Sequence, residues 1–229
     1  MPYELLKHLL FREGGGPSYS QSGEDRIVKF VLDALGISKP TYLDIGAHHP
    51  VRYSNTYLFY DNGCKGVCVE PNPRLFSRLQ KARPKDVCLN IGIGGVHRDA
   101  VPFYELSADT LSTFSEAEAQ RYVNKHGYQI SRVVYVDVVT PGEIIQQYLQ
   151  APPDFVSLDV EGLEMEILKS FDLTKSRPAV FCVETITFEK DGSGMKLTNV
   201  VEFLTNAGYM VYADTYINTI FVDRNRWMR

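Results

Sequence analysis

Short apolar runs that alternate with amphipathic stretches most constrain how this chain folds. Apolar runs bounded by turn residues are typical of buried strands, and the stretches between them have helical periodicity. The alternation favours an α/β fold with a mostly parallel sheet. The predicted strands are Thr41–Ile45, Gly66–Val69, Val87–Ile91, Val133–Val139, Phe155–Val160, Ala179–Val183 and a hairpin of Tyr209–Tyr212 with Thr219–Val222. The predicted helices are Ser22–Gly36, which begins at a possible capping box of Ser22 and Asp25, then Thr56–Asn62, Pro73–Ala82, Pro141–Tyr148, Leu163–Phe171 and Val200–Asn206.

Composition and charge exclude several classes of protein. With 229 residues, of which 44% are hydrophobic, the chain can bury one substantial core. Its formal net charge of -4 gives no overall attraction to nucleic acid or to an anionic membrane. No apolar run reaches the length of about 18 residues that a membrane-spanning helix needs. The N-terminal sequence also lacks the apolar core and cleavage site of a signal peptide, so we expect a cytoplasmic protein. The cysteines, Cys64, Cys68, Cys88 and Cys182, form no CxxC pair and are expected to be reduced.

No linker, repeat or charge block divides the chain. We therefore predict a single domain over residues 18–229 and an N-terminal arm over residues 1–17. Within the arm, Glu4–Arg12 has the pattern of a short amphipathic helix that ends at a run of glycines. This arm is interpreted as a frayed terminus or as a packing element for a neighbour.

Polar residues end the first four core strands. They are Asp44, Glu70, Asn90 and Asp159. In an open α/β sheet, ligands bind beyond the carboxyl ends of the strands, where the strand order reverses. Acids and asparagine are also favoured as helix caps, but four successive strand ends favour a shared site.

The loop after the first strand indicates which ligand this site takes. Glu70 lies 70 − 44 = 26 positions after Asp44, near the spacing at which a second-strand carboxylate binds ribose hydroxyls. Gly46 is followed by the sequence AHHP, without the later glycines that cradle a pyrophosphate. The pattern therefore favours an adenosine ligand without phosphates. S-adenosylmethionine is such a ligand, and an acid-lined edge suits its positive charges.

Several motifs in order resemble the FkbM family of S-adenosylmethionine-dependent methyltransferases. They are SYSQSGEDRIVKFVL, YLDIGAHHPVRYSNTYLFYDNG, GVCVEPNP, NIGIG, TLSTFS, FVSLDVEGLEMEILKSF and PAVFCVE, and they extend from about Ser18 to Asp223. The resemblance implies a class I methyltransferase (Rossmann-like) fold, with a mostly parallel seven-stranded sheet, an antiparallel last strand and helices on both faces. It also implies O-methylation of a hydroxyl, and the GAHHP and TLSTFS pieces resemble sugar-modifying members.

The same resemblance assigns cofactor contacts residue by residue. It implies that S-adenosylmethionine, and S-adenosylhomocysteine after transfer, is held at four places: the first motif, the acid that binds the ribose, the adenine side, and a helix start above the methionine moiety. Gln21 and Glu24 resemble part of a lid over the amino-acid end. The full set is Gln21, Glu24, Asp44, Gly46, Ala47, Ser54, Asn55, Thr56, Glu70, Pro71, Asn72, Asn90, Ile91, Gly92 and Asp159.

Methyl transfer to a hydroxyl needs an aligned acceptor and a group that takes its proton. The candidate catalytic residues are Asp159, Glu161, Glu184 and His48, since adjacent histidines do not both face one ligand and His49 is expected to hydrogen-bond within its turn. Asp159, Glu161 and Glu184 are predicted to cluster. Such a cluster raises the pKa of its members and yields a base, or it binds Mg²⁺ or another divalent cation.

Two polar segments are predicted to contact the acceptor, Ser107–Tyr128 and Thr185–Asn199, because long connections over the strand edge often carry function. The acceptor is expected to be a free, nucleotide-linked or lipid-linked sugar. Five basic residues near one helix, Arg74, Arg78, Lys81, Arg83 and Lys85, form either a solvated face or an attraction for an acidic acceptor.

Three alternatives remain open at this point. A lipid or polyketide hydroxyl is an alternative acceptor within the methyltransferase class. An NAD-dependent oxidoreductase shares the strand alternation and Glu70 but needs the glycines that this loop lacks. A non-catalytic module that binds the cofactor has the same fold.

Overall fold

The computed structural model describes residues 16–228. The predicted arm, with its helix Glu4–Arg12, lies outside the described residues except for Gly16 and Pro17. The rest of the chain forms the α/β arrangement that the alternating pattern predicts.

A seven-stranded sheet organises the molecule. Its strands, in spatial order, are β3 (Val87–Leu89), β2 (Gly66–Val69), β1 (Tyr42–Ile45), β7 (Phe155–Leu158), β8 (Val180–Glu184), β10 (Asn218–Asp223) and β9 (Tyr209–Asp214). All neighbours from β3 to β8 pair in parallel, whereas β10 runs antiparallel between β8 and β9. This confirms the class I methyltransferase fold, including its antiparallel last strand and the predicted hairpin.

Helices cover both faces of the sheet, and each face has its own apolar core. One core packs Val28, Phe59 and Leu79 against Tyr42 and Cys182. The other packs the second helix layer, around Ile144, Ile167 and Leu204, against the opposite side of the sheet. The first layer contains α1 (Glu24–Ala34), α2 (Tyr57–Asp61), α3 (Pro73–Ala82) and the terminal α8 (Arg224–Trp227), and the second contains α5 (Pro141–Ile144, continued by a π-helix over Ile145–Leu149), α6 (Glu164–Ser170) and α7 (Thr198–Asn206).

The start of α1 differs from the prediction. Gly23, with a φ of 90°, is the N-cap, and no side chain caps the helix. The predicted capping box of Ser22 and Asp25 is therefore wrong. Asp25 is fully buried and binds the chain that precedes the helix, so its carboxylate is committed elsewhere.

A separate sheet contains three strands, in the order β4 (Gly92–Ile93), β6 (Ile130–Val139) and β5 (Arg98–Leu106). The prediction that Val133–Val139 continues the main alternation is therefore wrong. The long β5 and β6 pair antiparallel, while β4 and β6 pair in parallel. A helix, α4 (Glu116–His126), lies within the predicted polar segment and packs Ala119 and Tyr122 against Leu106. Among residues 16–228, no helix has both the length and the apolar character needed to cross a membrane.

Candidate active site

A cavity of about 420 Å³ opens beyond the carboxyl ends of the main strands. This volume lies within the range of roughly 300–1,000 Å³ that is usual for small-molecule sites. The cavity is lined by all four predicted catalytic residues and by part of the predicted cofactor set. The predicted residues that line it are Gln21, Gly46, His48, Glu70, Pro71, Gly92, Asp159, Glu161 and Glu184.

The remaining predicted cofactor residues do not line this cavity. They lie behind its wall, where most of them hold the loops that form it, and their contact with the cofactor stays a prediction. They are Glu24, Asp44, Ala47, Ser54, Asn55, Thr56, Asn72, Asn90 and Ile91.

Asp44 belongs to a buried polar network under the first loop. Its carboxylate accepts a hydrogen bond from the Thr56 hydroxyl, and its Oδ2 lies 3.7 Å from a guanidinium nitrogen of Arg83. Burial raises the pKa of Asp44, while Arg83 and Thr56 oppose that rise. Asn55 similarly donates to the Ser157 hydroxyl at 3.2 Å. These side chains therefore fix the loop between β1 and α2.

Gly46 allows the ends of β1 and β7 to approach each other. Its φ is +81°, and a Cβ at this position would lie 1.8 Å from the backbone oxygen of Asp159. Such contact is sterically impossible for any other residue without movement of the backbone. The glycine therefore sets the distance between the first loop and the acidic strand end.

Glu70 combines a structural and a ligand-facing position. Its carboxylate accepts hydrogen bonds from the backbone N–H of His48 at 2.7 Å and of Asn72 at 2.8 Å. Burial raises the pKa of Glu70 to about 7, although these bonds favour the ionised form. Asn90 donates to the backbone oxygens of Glu70 and Pro71, both at 2.9 Å, and so holds the end of β2. Each Glu70 oxygen retains a free lone pair for ribose hydroxyls.

The chain before α1 forms a strap beside the cavity. Asp25 accepts hydrogen bonds from the hydroxyls of Ser18 and Ser20 and from the N–H of Tyr19, at 2.7–3.0 Å. This strap presents Gln21 to the cavity. Glu24 lies behind it and accepts from Thr215 at 2.6 Å, which joins α1 to the turn between β9 and β10.

Asp159, Glu161 and Glu184 form an acidic cluster in the cavity wall. Each offers an oxygen within 4.8 Å of the other two. Burial and the charge of Glu164 raise the pKa of Asp159 to about 7. Burial and the neighbouring acids also raise the pKa of Glu161 and of Glu184 well above the ordinary range. At neutral pH the cluster therefore holds protons, and it can exchange them with a bound hydroxyl.

The backbone under this cluster is strained and supported. Glu161 has a φ of 53°, in the left-handed region that charged residues rarely occupy. Buried Glu164 accepts hydrogen bonds from the N–H of Val160 and of Gly162, at 3.1–3.2 Å. The Tyr122 hydroxyl donates to Glu161 at 3.1 Å. These contacts aim the Glu161 carboxylate into the cavity.

The cluster also fits a divalent cation. Mg²⁺ prefers carboxylate and water oxygens, and the three acids supply convergent oxygens within reach of one ion. Asp159, Glu161 and Glu184 would be its ligands, and a bound cation would acidify a coordinated hydroxyl.

The two histidines of the first loop have different environments. His48 lines the cavity, and its Nε2 lies 3.4 Å from an oxygen of Asp109. The Nδ1 of His49 accepts hydrogen bonds from the N–H groups of Val51 and Arg52, at 3.1 and 3.0 Å. Burial and the positive charge of nearby groups lower the pKa of His49. His49 therefore stabilises its own turn, as expected, and His48 faces the cavity.

Both predicted polar segments reach the cavity. The first contributes Asp109–Ser112 and Phe114, and the second contributes Ile186–Glu189 and Gly192. They are connected, because Glu189 accepts from Lys125 at 2.6 Å and from Arg121 at 3.4 Å. Sequence reasoning placed these segments but missed their lining aromatics and the lining residues Tyr53, Phe103, Tyr216 and Ile217. Phe114 and Tyr53 lie within quoted motifs, TLSTFS and YLDIGAHHPVRYSNTYLFYDNG, whereas no motif marked Tyr216.

The run of basic residues does not form one charged face. Arg83 is fully buried in the Asp44 network, and the interpretation that includes it in a surface run is wrong. Arg74 lies 3.4 Å from buried Glu105, which also binds Arg132 at 2.6 Å. Among the described residues that line the cavity, none is lysine or arginine. The cavity therefore offers carboxyl oxygens to a cation and no lysine or arginine to a phosphate.

We expect Glu184→Gln to stabilise the protein at pH 8. Because the folded pKa of Glu184 lies above the unfolded value, its contribution to stability is full below about pH 4 and is lost as the pH rises through the folded value. Glutamine has no such proton to lose. The free energy of unfolding from urea titration should exceed that of the wild type at pH 8, and the excess should be much smaller at pH 5.

Glu202→Gln is the matched control, since Glu202 is exposed on α7. It should leave the pH dependence of unfolding unchanged. Equal pH dependence in the wild type and in Glu184→Gln would contradict the assignment of Glu184 to a crowded acidic cluster.

The residues present fit S-adenosylmethionine. The cavity has the required size, Glu70 faces it at the end of β2, and six carboxyl groups line it without a lysine or arginine among the described residues. A sulfonium and an ammonium group are cations, and such a wall stabilises them. The loop at Gly46 offers no series of glycines for a pyrophosphate.

Comparisons with solved structures concern the fold of this chain. A candidate caffeoyl-CoA O-methyltransferase from Staphylococcus aureus has a TM-score of 0.50 at 9% identity, over 96% of this chain and 90% of that chain. An O-methyltransferase from Bacillus cereus, solved with SAH, has a TM-score of 0.46 at 11% identity, over 96% of this chain and 89% of that chain. At such identities the likeness concerns the fold. A search of curated proteins finds no match.

The sequence itself supplies the family. Residues 44–211 match the methyltransferase FkbM domain, which is well over half of the chain and extends from Asp44 at the first strand to Val211 in β9. The match includes the acidic cluster and both segments over the cavity. This chain therefore belongs to the FkbM family and is an S-adenosylmethionine-dependent methyltransferase.

Proposed function

We propose that this enzyme transfers a methyl group to a hydroxyl of a sugar. The observation that carries the proposal is the cluster of Asp159, Glu161 and Glu184, which faces the cavity beside Glu70 and beneath two polar segments. A sugar hydroxyl is a weak nucleophile at neutral pH, so its proton must be accepted as the new bond forms. The cluster supplies a carboxylate whose pKa is near 7.

The residues divide the work between two ends of the cavity. Glu70 accepts hydrogen bonds from the ribose, and Gln21 on the strap covers the amino-acid end. When bound, S-adenosylmethionine supplies an electrophilic methyl group on its sulfonium. Asp159 then accepts the proton of the acceptor hydroxyl, while Glu161 and Glu184 hold that hydroxyl by further hydrogen bonds. This arrangement aligns the acceptor hydroxyl with the methyl group. Because the proton is accepted as the bond forms, the acceptor oxygen develops no full negative charge.

A cation held by the same three acids is a second candidate for activation. Its support is the convergence of their oxygens within 4.8 Å. In that case the ion, and not a carboxylate alone, lowers the pKa of the hydroxyl. Loss of activity with EDTA and recovery with Mg²⁺ would favour this route.

The family match and the cavity lining bear on the three alternatives to this function. FkbM family membership decides against an NAD-dependent oxidoreductase. A lipid or polyketide hydroxyl remains the alternative acceptor, and a cofactor-binding module without turnover remains the alternative role. The six carboxyl groups that line the cavity argue against a lipid acceptor, because they favour an acceptor rich in hydroxyl donors.

A cytoplasmic location is part of the proposal. Cys64, Cys68 and Cys182 are buried free thiols, and Cys88 is a half-buried one. Reduced cysteines are typical of proteins in the reducing cytosol.

The proposal is tested with isotope-labelled S-adenosylmethionine. The enzyme is supplied with free, nucleotide-linked and lipid-linked sugars and with a long-chain alcohol, each with EDTA or with Mg²⁺. Label in a sugar product supports the proposal, and the EDTA arm separates the base from the cation. Label only in the alcohol would contradict the sugar assignment. Cofactor binding without any labelled product would favour the non-catalytic module.

A further inference from the structure

Two exposed tyrosines lie at the cavity and take no part in the chemistry described above. Tyr53 is 64% exposed and Tyr216 is 55% exposed. Among the exposed large hydrophobic side chains of residues 16–228, these two are the ones that line the cavity. Large aromatic surfaces at a functional opening are typical of ligand contacts.

The backbone at both tyrosines is strained. The φ of Tyr53 is 58° and the φ of Tyr216 is 75°, in the left-handed region. Glycine and asparagine occupy this region at lower cost than a bulky residue. Because the rings are not buried, packing does not compensate for the strain. Strained residues that persist at a site indicate a functional reason for the side chain.

Tyr216 is held at both ends while most of it stays open. Its N–H donates to Asp214 at 2.7 Å, and its hydroxyl donates to the backbone oxygen of Gly192 at 3.0 Å. The preceding Thr215 is tied to Glu24 at 2.6 Å. The ring is therefore fixed between the turn of β9 and β10 and the segment that covers the cavity. A fixed ring loses little entropy when a ligand stacks on it.

The charge of the cavity restricts what can stack there. Glu161, Glu184 and Glu189 line the cavity with Tyr216, and no described lining residue is lysine or arginine. A phosphate therefore finds no such cationic partner in this wall, whereas sugar hydroxyls can form hydrogen bonds with its carboxyl groups. An aromatic face carries partial negative charge and attracts the C–H groups of a sugar ring. An uncharged sugar satisfies both the rings and the acids.

We propose that Tyr53 and Tyr216 form an aromatic subsite at the cavity rim that binds an uncharged sugar ring of the acceptor. The inference rests on the proposed function and narrows its substrate class. A phosphate or diphosphate carried by the acceptor lies outside the cavity. The subsite determines specificity and takes no part in proton transfer.

Substitutions at Tyr216 test the subsite. Tyr216→Asn removes the ring but tolerates the left-handed backbone, and Tyr216→Phe keeps the ring. For an uncharged methyl glycoside that is methylated, we expect Tyr216→Asn to raise KM about tenfold with little change in kcat. Tyr53→Asn should act in the same direction. Tyr216→Phe keeps the ring but loses the hydrogen bond to Gly192, so its KM should rise by less than that of Tyr216→Asn. Calorimetry should give an unchanged Kd for S-adenosylhomocysteine in all variants.

Tyr135→Asn is the matched control, because Tyr135 is 71% exposed on β6 and does not line the cavity. It should leave KM unchanged. Unchanged KM in Tyr216→Asn, an equal effect of Tyr135→Asn, or tighter binding of a sugar phosphate than of its uncharged glycoside would overturn the subsite.

A measurement without turnover separates this inference from the proposed function. Saturation-transfer NMR is recorded for a mixture of uncharged methyl glycosides on enzyme saturated with S-adenosylhomocysteine. A signal that Tyr216→Asn abolishes supports the subsite even when no sugar is methylated, in which case the proposed methylation fails alone. If a sugar is methylated but neither its KM nor its NMR signal depends on Tyr216, the proposed function stands and the subsite is wrong.

Discussion

Asparagine in place of Asp159 should lower kcat by about 10²–10⁴-fold while the affinity for S-adenosylhomocysteine changes little. Asp159 lines the cavity at the end of β7, hydrogen-bonded to Glu184. Its pKa of about 7 makes it the member of the cluster that is ionised in appreciable amount at neutral pH. The amide keeps the size and the hydrogen bond of the carboxyl group but cannot accept a proton. Single-turnover assays and calorimetry measure the two quantities separately.

The pH profile provides a second test of Asp159. A general base acts only when it is deprotonated, so kcat/KM of the wild type should rise about tenfold per pH unit below 7 and level off above it. Asp159→Asn should lose this limb. Asp99→Asn, at a side chain that is 86% exposed, is the control and should keep both kcat and the profile. Equal losses of cofactor affinity and kcat in Asp159→Asn would assign the residue to cofactor binding instead.

Much of the site could be predicted because parallel strands bring their carboxyl ends to one edge. Asp159, Glu161 and Glu184 are close together for this reason, although Glu184 ends β8 and the other two follow the end of β7. Asp44 shows where this reasoning stops. Side chains alternate along a strand, so Asp44 and its neighbour Ile45 face opposite sides, and Asp44 meets Arg83 in the first helix layer. Nothing local to Asp44 indicates that contact.

The second sheet was missed for a related reason. β5 contains Pro102 and several charged residues, which is permitted because it is an edge strand paired to β6 alone. Its position therefore depends on pairing with β6, and the paired residues are far apart in the sequence. Val101, for example, pairs with Val136. The rim tyrosines could not be predicted either, since their exposure depends on left-handed turns that the sequence does not mark with glycine.

Methionine in place of Arg83 should lower the free energy of unfolding by about 3–5 kcal/mol. The guanidinium is fully buried and donates to Asp86 at 2.8 Å, to Thr56 at 2.9 Å and to the Tyr42 hydroxyl at 3.0 Å. Methionine has a similar length but no charge, so it leaves Asp44 and Asp86 buried without a cation. An unpaired buried carboxylate costs more than the packing of methionine returns. Urea titration at pH 7 measures the loss.

Arg78→Met is the control for that loss, because Arg78 is exposed on α3 and lies only five positions before Arg83. It should change the free energy of unfolding by less than about 0.5 kcal/mol. Arg83→Lys retains the positive charge but lacks the planar set of hydrogen-bond donors. Its loss of unfolding free energy should therefore lie between those of Arg83→Met and Arg78→Met. If Arg83→Met were no less stable than Arg78→Met, the network would not hold the first loop, and the position of Gly46 beside Asp159 would need another cause.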